Sequence, residues 1–205
     1  MLAQLEEGLK ALNEDPARHP CDVYLAYLDL LEKWNGTYNL SGIKDKQEML
    51  SYHLLDSLSA LPYMQGIRCL DVGSGAGLPG LILALANQQQ QWTLLDSNGK
   101  KTRFIQQAVM ELGITNVEVV TQRLDDYQPA EPFHTITCRA LMPAAEFCQS
   151  SARLMANDGQ MLMLKGPGVE KEIEELRDDT FRTEVIHTSV PGILGKRCIL
   201  VVAAK

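Results

Sequence analysis

Cys69-Leu70-Asp71-Val72-Gly73-Ser74-Gly75-Ala76-Gly77-Leu78-Pro79-Gly80 is the stretch that decides the fold of this chain. It opens as a short buried strand and runs into Leu78–Ala86, whose apolar pattern reads as a helix. The glycines answer a physical need. The chain must turn sharply out of the strand, and a ligand must come close to its backbone. Pro79 suits a first helical turn, where its missing N–H is harmless. Strand, glycine-rich turn and helix in this order form the opening unit of an open α/β sheet.

Outward from that turn the chain shows two regimes. From residue 67 onward, strand patterns at Arg68–Val72, Trp92–Asp96, Val117–Thr121, His134–Arg139 and Gln160–Lys165 are interleaved with helical patterns at Leu78–Ala86, Lys100–Leu112 and Ala144–Met155. That predicts a doubly wound, mostly parallel sheet. After a helix near Val169–Leu176, the strands Thr183–Ser189 and Arg197–Ala203 are separated by Val190-Pro191-Gly192 with no helix between. They predict an antiparallel finish to a seven-stranded sheet. Gln88–Gln91 is read as loop, and no repeat or low-complexity tract is visible.

Toward the N-terminus the pattern is helical only. Leu2, Leu5, Leu9 and Leu12 recur at helical spacing, as do Val23, Tyr27, Leu30, Leu31 and Trp34. A third helix is expected from Asp45, a capping residue with Glu48 three positions on, through Met49, Leu50, His53, Leu54 and Leu58 to Leu61-Pro62. The domain reading is a helical extension or cap over 1–62 and an α/β domain over 63–205, together one compact unit.

Composition narrows the function. The chain has 205 residues and a formal net charge of −7. An acidic chain does not coat nucleic acid by bulk electrostatics, although a local basic patch is still allowed. The five cysteines are an odd number without C-x-x-C spacing, so they read as reduced core thiols, and no metal is expected. The N-terminus carries Glu6 and Glu7 and lacks the cationic start of a signal peptide. The longest apolar run, Leu81 to Ala86, is too short to span a bilayer. A cytoplasmic monomer, not attached to a membrane, is the expectation.

Two cofactors compete for the turn. Gly75-x-Gly77-x-x-Gly80 matches the dinucleotide fingerprint, and Asp96 follows about 20 residues later, which alone suggests NAD. The full arrangement, Asp71-x-Gly73-x-Gly75-x-Gly77, places a carboxylate ahead of the first glycine. A negative group there repels a pyrophosphate at the helix N-terminus and welcomes a cofactor with a sulfonium and an ammonium group. This pattern resembles the first motif of class I methyltransferases, with their Rossmann-like fold and S-adenosylmethionine as methyl donor (S-adenosylhomocysteine as product). Asp96, at the end of the second strand, can accept hydrogen bonds from both ribose hydroxyls. An NAD enzyme uses the same position, so Asp96 does not discriminate.

The acceptor is read from the ends of the fourth and fifth strands. Thr137-Cys138-Arg139-Ala140-Leu141 carries no Asn/Asp-Pro-Pro-aromatic motif of the kind used on exocyclic amines. Cys138 lacks the preceding proline of a pyrimidine C5 nucleophile and reads as a core thiol. Arg139 and Lys165 stand at carboxyl ends of parallel strands, where such sheets bind ligands. Two cations there suit an anionic or electron-rich partner such as RNA, or else bridge loops at the surface.

Several segments together resemble one family, the bacterial small-subunit ribosomal RNA guanine-N7 methyltransferase G family, also called glucose-inhibited division protein B. They are Trp34-Asn35-x-x-Tyr38-Asn39-Leu40-Ser41, His53-Leu54-Leu55-Asp56-Ser57, Leu70 to Gly80, Leu94-Leu95-Asp96-Ser97-x-x-Lys100-Lys101, Cys138-Arg139-Ala140 and Leu164-Lys165-Gly166. The family often has Thr at Ser74 and Pro at Ala76, and both departures leave the turn possible. The resemblance implies methylation of N7 of guanine 527 in 16S rRNA of the small ribosomal subunit. It also implies cofactor contacts at Gly73, Leu78, Leu124, Asp125 and Arg139, beside those expected at Asp71, Gly75 and Asp96. Asn39 and His53 become candidates for the RNA-facing rim, against a plain reading as a turn asparagine and a core histidine. Guanine N7 carries a lone pair and no proton, so no general base is needed, and Arg139 and Lys165 are expected to hold the RNA.

Overall fold

The structure, a computed structural model, describes residues 1–176 and 180–205. Seven strands form one sheet: β1 (Arg68–Val72), β2 (Gln91–Asp96), β3 (Val117–Thr121), β4 (Phe133–Arg139), β5 (Met155–Lys165), β6 (Phe181–Thr188) and β7 (Arg197–Ala204). Their order is β3-β2-β1-β4-β5-β7-β6. The first five strands pair in parallel, and β7 runs antiparallel between β5 and β6. The expected class is therefore the observed one, with one refinement: the antiparallel strand is inserted beside β5 and does not lie at the edge.

Alternate residues of each central strand feed two cores, one on each face of the sheet. Cys69, Leu94, Leu162 and Ile199 face one core; Leu70, Leu95, Met163 and Leu200 face the other. The helices are α1 (Leu2–Ala11), α2 (Cys21–Tyr38), α3 (Lys46–Met49), α4 (Asp56–Leu58), α5 (Gly80–Ala86), α6 (Gly99–Glu111), α7 (Ala144–Ser151) and α8 (Val169–Glu175). Leu5 and Leu9 of α1 and Tyr27, Leu28 and Leu31 of α2 share the first core with Leu81, Ile82 and Phe104 of α5 and α6. Truncating a leucine as buried as Leu9 costs about 2–5 kcal/mol. The second core takes Phe147 of α7 and Val169 of α8.

Most boundaries fall within one or two residues of those expected. The helix expected over Ala144–Met155 ends at Ser151, where a 3-10 turn over Ala152–Leu154 leads into β5, and other features differ as well. The buried stripe of α2 is Tyr24, Tyr27, Leu28, Leu31 and Asn35, while Val23, Leu30 and Trp34 only flank it. The helix expected from Asp45 to Leu61 does start on an Asp45 cap, whose carboxylate accepts the Glu48 amide at 3.0 Å. It then widens into a π-helical turn over Leu50–Leu55 between α3 and α4. Strand β5 begins at Met155, earlier than Gln160, because Met155 pairs with Phe133 across a register shift in β4. Gln91 opens β2 and is not loop, and Pro79 caps α5 from outside its first turn.

Candidate active site

The strand order reverses between β1 and β4, where the chain leaves β1 toward β2 and β3 and returns on the other side. Ligands of open α/β sheets bind at such a point, beyond the carboxyl ends of the strands. Asp71 pairs with Thr137 across β1 and β4. Two residues beyond each stand Gly73 and Arg139, so the glycine turn and the arginine share one crevice. Its first cleft, of about 850 Å³, is lined by the turn from Val72 to Ala76, Leu78, Asp96, Gln122 to Asp125 and Arg139 to Met142.

The turn is held by its own carboxylates. Gly75 N–H donates to Asp96 Oδ2 at 2.8 Å, and Gly80 N–H donates to Asp71 Oδ2 at 3.1 Å. A pyrophosphate would need these donors at the two ends of Gly75-x-Gly77-x-x-Gly80. With both occupied by carboxylates, the dinucleotide reading loses its best support. Gly73, Gly75 and Gly77 have φ of 68°, 59° and 88°, the left-handed region that glycine enters freely.

Asp71 departs from its expected place beside the cofactor. It is fully buried behind the turn and absent from the lining of the cleft. Its Oδ1 lies 3.0 Å from the Thr137 hydroxyl, and burial lifts its carboxyl to about 6 against the opposing hydrogen bonds from Gly80, Ser74 and Thr137. Its work is to hold turn, strand and helix together. Asp96 does face the cleft. Its Oδ1 accepts the Asn98 amide at 2.8 Å, and both carboxylate oxygens keep lone pairs for further donors. Leu124 and Asp125 line the far wall, where Arg153 clamps their loop by donating to the carbonyls of Leu124 and Tyr127 at 2.7 and 2.8 Å. Sequence reasoning missed Arg153, since nothing local marks it.

A second cleft adjoins the first. It is lined by Tyr52, Asp56, Lys165 and Arg197 among others, and shares Ser41, His53, Arg139, Ala140, Leu141 and Met142 with the first. Arg139 sits in that shared wall. Its Nη1 donates to the Tyr52 carbonyl at 2.7 Å and to Asp56 Oδ2 at 3.2 Å. Asp56 is clasped from the other side by Arg197, whose Nε lies 3.3 Å from Oδ1 and whose guanidinium stands over the Tyr52 ring. Burial raises the Asp56 carboxyl, and the two arginines oppose that rise. Neither Asp56 nor Arg197 was assigned a role by sequence reasoning.

Lys165 lines the second cleft but is engaged within the protein. Its Nζ donates to Glu172 Oε2 at 2.6 Å and to the Met142 carbonyl at 3.0 Å. Glu172 in turn accepts the first amide of α7, from Ala144, at 2.7 Å. Lys165 therefore joins β5, α7 and α8, which is the loop-bridging alternative to holding RNA. Asn39 caps α2 in the left-handed conformation (φ 50°) with an exposed side chain and lines neither cleft, as a turn asparagine would. His53 is buried in the shared wall. Its Nε2 lies 2.8 Å from the Ser41 hydroxyl, and burial, then the nearby Arg139 charge, lowers its imidazole to about 4, so it is neutral near pH 7. Asn35 frames the same loop, donating to the Ile43 carbonyl at 3.0 Å and accepting the Ser41 amide at 2.8 Å. Cys138 is buried, lines neither cleft, and burial pushes its thiol well above the ordinary range, against any thiolate role.

These walls fit a nucleoside with a short charged tail. Gly75 leaves backbone open, Asp96 presents acceptors at a strand end, and the Gln122 to Asp125 edge offers polar groups across the cleft. Among the described residues no group of three His, Cys, Asp or Glu side chains gathers as a metal site requires. No helix among them is long and apolar enough to cross a membrane.

The model of the family described as rRNA small subunit methyltransferase G matches residues 21–200. The ribosomal RNA small subunit methyltransferase G of Chromobacterium violaceum is 45% identical over 95% of this chain and 94% of its own length. That of Marinobacter nauticus is 44% identical over 98% of this chain and 94% of its own length. Among solved structures, magnesium protoporphyrin IX methyltransferase from Synechocystis with bound SAM superposes with a TM-score of 0.63 at 17% identity. That match covers 87% of this chain and 97% of the other, a likeness of fold alone.

Proposed function

The chain belongs to the rRNA small subunit methyltransferase G family, and from that premise we propose that it methylates N7 of guanine 527 in 16S rRNA. The observation that carries this reading is the pair of clefts meeting at one wall. A methyl donor in the first cleft and a base in the second would meet across Arg139 to Met142. S-adenosylmethionine, when bound, supplies an electrophilic methyl group on a sulfonium centre.

The chain's own residues do the holding. Gly75 and Leu78 give the donor a close backbone bed, with Gly73 beside them under Leu141, and Asp96 accepts from its ribose hydroxyls. Leu124 and Asp125 offer polar groups to an adenine edge. Arg139 faces both clefts and fixes the acceptor against the donor. Guanine N7 has an in-plane lone pair and no proton, so no residue need act as general base. Rate enhancement then rests on alignment within a walled site. His53 stays neutral and adds no positive charge beside a cationic donor. The N-terminal helices 1–62 serve as a cap that frames the wall through the Ser41–His53 pair.

The test is to map N7-methylguanine in 16S rRNA from cells with and without this protein. Loss of one N7-methylguanine on deletion, restored by the gene, supports the reading. Unchanged methylation sinks it.

A further inference from the structure

Among the described residues with large, exposed apolar side chains, Leu141 alone lines these two clefts, and it lines both. It is 38% exposed, beside Arg139, in a cleft that Asp56, Lys165, Glu172 and Arg197 also line. A leucine left open at the meeting point of two clefts gains little there unless something covers it.

The backbone puts it there deliberately. Ala140 adopts φ of 49°, the left-handed region, which costs a residue with a Cβ about 1–2 kcal/mol. This bend lets Arg139 reach toward Tyr52 and Asp56 while Leu141 folds back over the glycine turn. A Cβ added to Gly73 would lie 2.5 Å from Leu141 Cδ1, so the leucine is seated on the bare α-carbon of Gly73. One side of Leu141 thus rests on Gly73, and the residue lines both clefts where they meet.

We propose that Leu141 is a substrate-positioning residue, the apolar floor on which the flat face of the acceptor purine lies. The inference rests on the methyl-transfer reading above and names the side chain that orients the base. A purine face is apolar and broad, and bases taken out of a stack are held between aromatic or apolar side chains. Contact with a leucine seated on Gly73 sets the height of the ring relative to the donor. The ring nitrogen is thereby aimed across the wall, while polar neighbours address its edges.

The experiment uses the full chain, labelled S-adenosylmethionine, and small subunits from cells lacking this protein. Leu141→Ala is expected to lower kcat/KM for the subunit about tenfold, the loss of one well-packed contact in the transition state. Leu141→Met, close in volume, recovers most of it. Calorimetric affinity for S-adenosylmethionine stays within about twofold of the parent. If Leu141→Ala methylates like the parent, the inference is overturned. It is equally overturned if donor affinity falls in proportion to activity, since Leu141 would then merely support Gly73. Absence of transfer by the parent protein overturns the methyl-transfer reading and this inference with it.

Discussion

The Tyr27 hydroxyl donates to the carbonyl oxygen of Ala76 at 2.7 Å, so helix α2 reaches through the first core to hold the glycine turn. The two residues are 49 positions apart, and both are buried. Tyr27→Phe leaves a buried carbonyl without its donor, which costs about 1–3 kcal/mol. Urea unfolding is expected to show that loss, and calorimetry a several-fold weaker affinity for S-adenosylmethionine. A donor affinity equal to the parent's would mean that the bond supports the fold without shaping the cleft.

Asp71 and His53 make stability respond to pH in opposite directions. Asp71, lifted to about 6 by burial, holds its proton in the folded state after the unfolded chain has lost it. Its contribution is full below about 4 and is lost as pH rises through about 6. His53, lowered to about 4 by burial, stays neutral when the unfolded chain has taken up a proton. Its contribution is full above about 6.5 and is lost as pH falls through about 4. Each effect is on the order of 3 kcal/mol, so they largely cancel between pH 4 and 6.5. Asp71→Asn therefore gives stability that rises with pH across this window relative to the parent, and His53→Gln gives the reverse. Urea midpoints at four pH values read the difference. Asp56 adds the same slope to all three proteins, and parallel curves would refute the assignment.

Arg139→Ala is expected to damage both activity and fold. The guanidinium serves the Tyr52 carbonyl and the buried Asp56 as well as the clefts. Arg197 still faces Asp56, so the loss is about 1–3 kcal/mol, below that for a carboxylate left wholly unpaired. Methyl transfer to small subunits should fall by 100-fold or more, on the order of 3 kcal/mol in the transition state. Full activity of a folded Arg139→Ala protein would remove Arg139 from the site.

Arg153→Ala separates loop order from global stability. The side chain is exposed, so water can replace most of its hydrogen bonds, and unfolding free energy should change by less than about 1 kcal/mol. The carbonyls of Leu124, Asp125 and Tyr127 lose a common anchor, however. Calorimetry is expected to show several-fold weaker donor binding with a larger unfavourable entropy, because the loop must then be ordered on binding. An unchanged affinity would exclude this loop from the donor site.

The α/β class was legible because it depends on local pattern. Apolar strands at Arg68–Val72 and Val117–Thr121 are bounded by turn residues, and both are observed with those limits. The missing helix between Thr188 and Arg197 likewise marks the antiparallel pair. The π-helical turn at Leu50–Leu55 was not legible, since its sequence carries ordinary helical periodicity. Of the residues expected to touch the cofactor, Gly73, Gly75, Leu78, Asp96, Leu124, Asp125 and Arg139 line the first cleft, while Asp71 does not.

By itself, the sequence determined which segments are strands and helices, where the backbone must be bare, and which charged residues stand at strand ends. Those properties follow from side-chain periodicity and from the steric freedom of glycine over a few neighbouring residues. Only the tertiary structure decided what each charged group does. Asp71 turns inward to Gly80 and Thr137, Lys165 is spent on Glu172, and Arg139 reaches a carboxylate 83 positions away. Such partners are chosen by packing distant segments together, and a charge at a strand end can face a ligand or a neighbour with the same local sequence.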